Sequence, residues 1–345
     1  MNVSIVGATG YSGMELIRLL HNHPIFHLAG VYSSSQNGTM LDSVNRHLFG
    51  LTSNTFQEIN SERIAENSEL VFLAVPSGIS KNLVSDLSQY PIKMIDLSGD
   101  LRLKNPADYE KWYGSSAAST LYLEQAVYGL TEWNRERIAS ANLIANPGCY
   151  PTASILAIAP LLKHKLIEAT DMIIDAKSGV SGAGKKSSST THFAHVDENL
   201  SIYKVHKHQH IPEIEQTLLE YEPELKPIMF TTHLIPMTRG IMATIHVKAK
   251  AGVRVGDIEE CFQNEYDKEL FIRIRPYGEF PATKEVYGTN LCDIGFRLDD
   301  RTGRLTIVSV IDNLVKGAAG QAIQNANLMF NIDESTGLSH FPIYP

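Results

Sequence analysis

The sequence predicts an α/β protein of two domains, a doubly wound parallel sheet followed by an α+β domain built on a mixed sheet. Three observations predict this. An apolar run at residues 3–6 leads straight into Gly7-Ala8-Thr9-Gly10-Tyr11-Ser12-Gly13, after which Met14, Ile17 and Leu20 recur at helical spacing. Short apolar runs that suit buried parallel strands repeat through the first half, whereas from Met172 strand-like runs alternate less regularly with helices. At 345 residues the chain also exceeds one ordinary core.

Composition narrows the class. With 43% hydrophobic and 20% charged residues the chain reads as a soluble globular protein. A net charge of −8 argues against nucleic acid or an anionic membrane as partner. Three cysteines, Cys149, Cys261 and Cys292, show no CxxC spacing and fit a reducing compartment rather than a disulfide framework. Met1-Asn2 runs into an apolar strand with no basic leader, and no apolar run approaches bilayer length, so a cytoplasmic protein is expected.

Taken in order, the first strand and first helix enclose the glycine turn, which is where a dinucleotide pyrophosphate rests on backbone N–H groups. The spacing is GxxGxxG rather than GxGxxG, so its position between strand and helix carries the reading. Gly7, Thr9, Gly10, Tyr11, Ser12 and Gly13 are the candidate cofactor contacts. His23-Pro24 closes the helix. A strand at 28–32 ends in Ser33-Ser34-Ser35, where NAD-specific folds usually carry an acid for the ribose hydroxyls. Three hydroxyls without a carboxylate favour NADP. A strand at 70–75 leads to Pro76-Ser77-Gly78-Ile79-Ser80, a turn at the cofactor edge, and a strand at 92–97 leads to Ser98-Gly99-Asp100-Leu101-Arg102. Arg102 can form a two-pronged bond to a phosphate or carboxylate, or pair with Asp96 or Asp100.

The strand at 143–146 delivers Asn146-Pro147-Gly148-Cys149-Tyr150-Pro151-Thr152, with helical spacing from Ser154 to Leu162. Cys149 thus stands at a helix start, where unpaired N–H groups and the helix dipole favour the nucleophilic thiolate. Most free cysteines are buried and inert, but glycine and two prolines mark an exposed turn. Strand-like runs follow at 172–175, 228–232, 242–247 and 305–311. Between them Ser178-Gly179-Val180-Ser181-Gly182-Ala183-Gly184-Lys185-Lys186 has the donors and cations of an anion nest but lacks P-loop spacing. In His206-Lys207-His208-Gln209-His210-Ile211-Pro212-Glu213 the histidines alternate, as they would on one face of a strand. A closed metal ligand set is missing, so no metal is expected, and one histidine suffices as proton donor and acceptor for Cys149. Arg239, beside Gly240, is a second candidate for an anionic substrate. Asp312 is the natural N-cap of a last helix running to Met329, whose small residues Gly317, Ala318, Gly320 and Ala322 would let it pack back on the nucleotide domain.

An NADP turn, a helix-start thiol, a histidine and two arginines suit an acyl phosphate reduced through a thioester. GATGYSG, NPGCYPT, SGVSGAG, HxHxPEI, LIPMTRGI and DNLVKGAAGQA also closely resemble the N-acetyl-gamma-glutamyl-phosphate reductase family, in order and over almost the whole chain. The resemblance implies NADPH-dependent reduction of N-acetyl-gamma-glutamyl phosphate to N-acetylglutamate 5-semialdehyde in arginine biosynthesis. It implies Cys149 as the acyl carrier and His208 as acid/base, with His210 in reserve, and Asn146, Ser181 and Glu213 join Arg102 and Arg239 as candidate substrate ligands. Ser178, Gly179 and Asn313 join Pro76 on the cofactor side. It further implies a Rossmann-type domain at 1–148, a catalytic and dimerisation domain at 149–311, a returning segment at 312–345, and a homodimer or homotetramer. A carrier-linked aminoadipyl-phosphate reductase, an aspartate-semialdehyde dehydrogenase, and a non-catalytic NADP sensor are the alternatives.

Overall fold

The computed structural model describes all 345 residues, which divide into two units. The first holds Met1–Pro147 with Ala318–Ser339, and the second holds Gly148–Gly317 with His340–Pro345.

The first unit is built on β1 (Asn2–Val6), β2 (His27–Tyr32), β3 (Phe56–Gln57), β4 (Leu70–Leu73), β5 (Lys93–Asp96), β6 (Val127–Tyr128) and β7 (Leu143–Ala145). They lie in the order β3-β2-β1-β4-β5-β7-β6, with every pairing parallel. The order reverses at β1, so the crevice where doubly wound sheets bind ligands opens at its carboxyl end. Residues 3–6 are wholly buried, as a strand covered on both faces requires. Gly7 follows at φ +91°, and a Cβ there would stand 2.3 Å from the Ala74 carbonyl oxygen, so only glycine fits. Gly10 then starts the Tyr11–His21 helix with no side chain capping it.

The second unit is built on β8 (Ile173–Gly179), β9 (Ser201–Tyr203), β10 (Met229–Ile235), β11 (Ile241–Lys248), β12 (Ile272–Ile274), β13 (Cys292–Asp299) and β14 (Arg304–Ile311), in the order β12-β13-β14-β11-β8-β10-β9. Two pairings are parallel and the rest antiparallel, the mixed sheet expected. The Cys149–Lys163 helix is the core of this unit, with residues 150–162 all buried. A helix apolar on all sides needs cover on all sides, and it packs on β11, β14 and the His210–Leu219 and Val255–Tyr266 helices. Pro160 removes the N–H that would bond the Leu156 carbonyl, and the Tyr266 hydroxyl donates to that carbonyl instead, at 2.6 Å.

Several expectations are corrected. The histidine segment is not a strand: β9 ends at Tyr203, Lys204 and His206 have positive φ, and His210 opens a helix. Alternation therefore does not place the three histidines on one strand face. Strand β13 has no counterpart among the runs read from sequence. The last helix is not continuous from Asp312. Residues Val315–Ala319 are π-helical, and the α-helix proper is Gly320–Met329. Asp312 still begins the segment, its Oδ1 accepting the Leu314 N–H at 2.8 Å. Inside the first unit the Gly320–Met329 helix is fixed by side-chain amides. Gln321 and Asn325 both donate to the Gly129 carbonyl, and Asn325 also donates to Asn146 Oδ1.

Candidate active site

In the second unit Cys149 is the first residue of its helix, with Gly148 in extended N-cap geometry and no side-chain cap. The Gly148 N–H is held by Glu213 Oε1 at 2.7 Å, and Glu213 is wholly buried. Thr152 donates both its N–H and its hydroxyl to the Gly148 carbonyl. The turn before the thiol is therefore clamped on both its polar groups. Gly317 lies on the other side of Cys149, close enough that no side chain could stand there.

His208 is buried in an aromatic cage, its ring centroid 5.4 Å from Tyr150, 5.8 Å from Tyr203, 5.7 Å from Phe230 and 4.7 Å from His210. Burial first, and the Lys204 charge second, push it down to about 3, so it is neutral at physiological pH. Its Nδ1 accepts the His210 N–H at 3.2 Å, which places the hydrogen of the neutral ring on Nε2. Tyr150 and Tyr203 join hydroxyls at 2.9 Å. Burial raises both phenols, Tyr203 to about 12, and charge on Cys149 adds to the rise in each. Cys149 and the His208 cage thus share one electrostatic neighbourhood. Tyr150, Tyr203, Phe230 and Gly317 were not singled out from sequence. Tyr150 had a signal in its place next to Cys149, and Gly317 was read only as one of several small helical residues.

Ser178, Gly179, Ser181, Arg239 and Asn313 gather around a second point of this unit. The Gly179 N–H donates to the Gly240 carbonyl, Gly240 N–H to Asn313 Oδ1 at 2.7 Å, and Asn313 Nδ2 to Ser181 Oγ at 3.0 Å. The Arg239 guanidinium stands 3.7 Å from the buried Asp312 carboxylate. It also lines a cavity of about 420 Å³ with Lys284, Thr238, Thr283 and Tyr287, which Met237, Ile343 and Pro345 complete.

In the first unit Thr9, Gly10, Tyr11 and Ser12 are partly exposed along the turn after β1, and Gly13 is buried against the Ala8 backbone. Ser34 and Ser35 are exposed after β2 while Ser33 is buried, and Pro76 is exposed after β4. Arg102 lies after β5, with Nε on the Asn146 carbonyl at 2.8 Å and one terminal nitrogen on the Leu97 carbonyl at 2.9 Å. Asn146 is itself buried, donating to the Ala318 carbonyl. No group of three or more His, Cys, Asp or Glu side chains could hold a metal ion, and no helix is long and apolar enough to cross a membrane.

A parallel nucleotide-type sheet, a mixed sheet, a helix-start thiol and a caged histidine define an oxidoreductase of the semialdehyde dehydrogenase class. Residues 2–141 match the semialdehyde dehydrogenase NAD binding domain and residues 149–313 its dimerisation domain. Solved structures with this fold include aspartate semialdehyde dehydrogenase II from Vibrio cholerae, at TM-score 0.70 and 19% identity over 96% of this chain and 98% of that one. Another is the Candida albicans aspartate semialdehyde dehydrogenase with NADP, at TM-score 0.67 and 15% identity over 95% and 98%. Much nearer in sequence are the N-acetyl-gamma-glutamyl-phosphate reductases of Geobacillus sp. (strain WCH70), 55% identical, and Bacillus cytotoxicus, 54% identical, each over the full length of both chains. The chain belongs to the N-acetyl-gamma-glutamyl-phosphate reductase family.

Proposed function

We propose that this protein reduces N-acetyl-gamma-glutamyl phosphate to N-acetylglutamate 5-semialdehyde, releasing phosphate, with NADPH as reductant. The observation that carries this reading is Cys149 itself, held at a helix start within a chain that matches the named reductases from end to end. The Cys149 thiolate attacks the acyl carbon, the carbon–oxygen bond to phosphate breaks, and a thioester forms on Sγ. NADPH, when bound, would supply the hydride; as the thioester carbon takes it the carbon–sulfur bond breaks, which frees the aldehyde and restores the Cys149 thiolate. The neutral His208 ring donates its Nε2–H to the acyl oxygen as negative charge develops there. With Nδ1 already accepting a backbone N–H, the ring is set as a donor rather than as a base.

Arg239 and Ser181 bind the anionic ends of the substrate; for Arg239 the support is the cavity it lines beside Lys284. Arg102 and Asn146, after β5 and β7, are the substrate candidates of the first unit. Glu213 positions Gly148 and Cys149 through its bond to the Gly148 N–H rather than touching substrate. Gly7, Thr9, Gly10, Tyr11, Ser12 and Gly13 hold the pyrophosphate, and Ser33, Ser34 and Ser35 the 2′-phosphate. Pro76, Ser178, Gly179 and Asn313 complete the cofactor contacts. The protein works in the cytoplasm as a homodimer or homotetramer, a reading supported by the match to a dimerisation domain. The functional domains read from sequence, 1–148, 149–311 and 312–345, differ from the compact units, which change at 147/148, 317/318 and 339/340.

The test is phosphate-dependent NADP reduction with N-acetylglutamate 5-semialdehyde, wild type beside Cys149→Ser. Activity that needs phosphate and vanishes in the serine variant supports the reading. Activity only with aspartate semialdehyde or an aminoadipate analogue would overturn the substrate. NADP binding without any turnover would favour a sensor.

A further inference from the structure

Two buried aspartates, Asp96 at the end of β5 and Asp100 beyond it, are joined through two serines. Asp96 Oδ2 lies 2.9 Å from Ser98 Oγ, Ser98 Oγ lies 2.7 Å from Ser80 Oγ, and Ser80 Oγ lies 3.1 Å from Asp100 Oδ2. Three oxygen–oxygen contacts in a row need three hydrogens, and the two hydroxyls supply two. Ser98 Oγ also accepts the Asp100 N–H at 3.1 Å, which brings no hydrogen to the row itself. Without a third hydrogen, one contact sets lone pair against lone pair among residues that solvent barely reaches. Only a carboxyl can supply it.

The surroundings decide which one. Asp100 Oδ1 accepts the Gly78 N–H at 2.7 Å and the Tyr109 hydroxyl at 2.6 Å, and Oδ2 accepts the Lys81 N–H at 3.1 Å. Donors hold both of its oxygens at the start of the Ser80–Leu87 helix, an environment for an anion. Asp96 has a single backbone donor, the Ser98 N–H on Oδ1 at 2.9 Å. Burial pushes Asp96 up to about 6; the Asp100 charge adds to this, while the Ser98 bonds and the Arg102 guanidinium oppose it.

We propose that Asp96 and Asp100 share one proton, resident on Asp96, and that the chain Asp96–Ser98–Ser80–Asp100 is a pH-sensitive latch on the turn after β4. That turn carries Pro76 and Gly78, so the latch positions the cofactor edge; this last link rests on the function proposed above. Asp100, Tyr109 and Arg102 are the titratable and charged groups that face it. When Asp96 loses its proton, the Ser98–Ser80 contact loses its hydrogen and the turn keeps only its ties to Asp100 and to the Gly99 N–H, one fewer than before.

Asp96→Asn supplies an amide that donates to Ser98 Oγ and accepts from Ser98 N–H at every pH, a permanent copy of the protonated acid. Infrared spectra of the full chain between about pH 5 and 8 should show a protonated carboxyl that titrates in the wild type and is missing in Asp96→Asn. Over that range NADP binding by calorimetry should weaken in the wild type by at least about threefold relative to Asp96→Asn. The ratio removes the titration of the ligand's own 2′-phosphate. Ser98→Ala, which cuts the chain but leaves both carboxyls, should also lose the wild-type pH dependence. No titrating carboxyl, or the same pH dependence in all three proteins, overturns the latch. If none binds NADP, the infrared band still decides the proton, and it is the cofactor reading that falls.

Discussion

A Cβ on Gly317 would stand 2.7 Å from the Cβ of Cys149 and 3.2 Å from its Cα. The π-helical turn Val315–Ala319 brings this glycine there, and the space it leaves is the space the thiol's backbone occupies. π-Turns inside helices are frequent at functional sites.

Gly317→Ala should therefore act on catalysis through position. Neither contact is with a flexible side-chain end, so Cys149 or the π-turn has to move. Overpacking of this kind costs about 1–3 kcal/mol. The expected outcome is a stable protein with kcat lowered about tenfold or more, read by steady-state kinetics beside a melting curve. Wild-type kcat would remove the steric argument.

Thiol chemistry should be selective. Cys149 is partly exposed, whereas Cys261 and Cys292 are buried, and burial pushes the Cys261 thiol up to about 12. Iodoacetamide at neutral pH should give a single adduct at Cys149, in step with loss of activity, by mass spectrometry of peptides. Equal labelling of Cys261 would contradict the burial argument.

Glu213→Gln keeps an acceptor for the Gly148 N–H but removes its charge. Charged and neutral hydrogen bonds differ by about 1 kcal/mol, so kcat should fall about fivefold with KM nearly unchanged. Glu213→Ala leaves the N–H buried without its acceptor and should cost about 1–3 kcal/mol of stability as well. A raised KM with normal kcat would instead make Glu213 a substrate ligand.

His208 makes stability depend on pH. Its folded value of about 3 lies below the ordinary 6.5, so between them the unfolded chain binds more protons than the folded one. Stability from this residue is present above about 6.5 and is lost as pH falls toward 3. Asp96, raised to about 6, works in the opposite sense over part of this window. His208→Gln should thus melt below the wild type at pH about 7, and the gap should narrow as pH falls toward about 4. A gap that widens would mean that His208 is charged in the fold.

Local pattern carried much of this molecule. Residues 3–6 and the glycine turn announce the first crossover because a covered strand must be apolar and Gly7 has no room for a side chain. Cys149 was legible because a strand run, a glycine and a helical run fix where a helix starts. Alternating histidines misled because two positive-φ residues, Lys204 and His206, end the strand they imitate. Pro160 gave no hint that the Tyr266 hydroxyl would take the place of its missing N–H.

By itself the sequence determined the kinds and order of elements, the glycine turn and the thiol at a helix start, since each depends on neighbours a few residues apart. Only the tertiary structure decided what stands around that thiol. Glu213 on the Gly148 N–H, Gly317 against the Cys149 backbone and the ring cage that keeps His208 neutral join residues far apart in the chain. Burial and close approach are properties of packed neighbours, and no spacing along the chain encodes them.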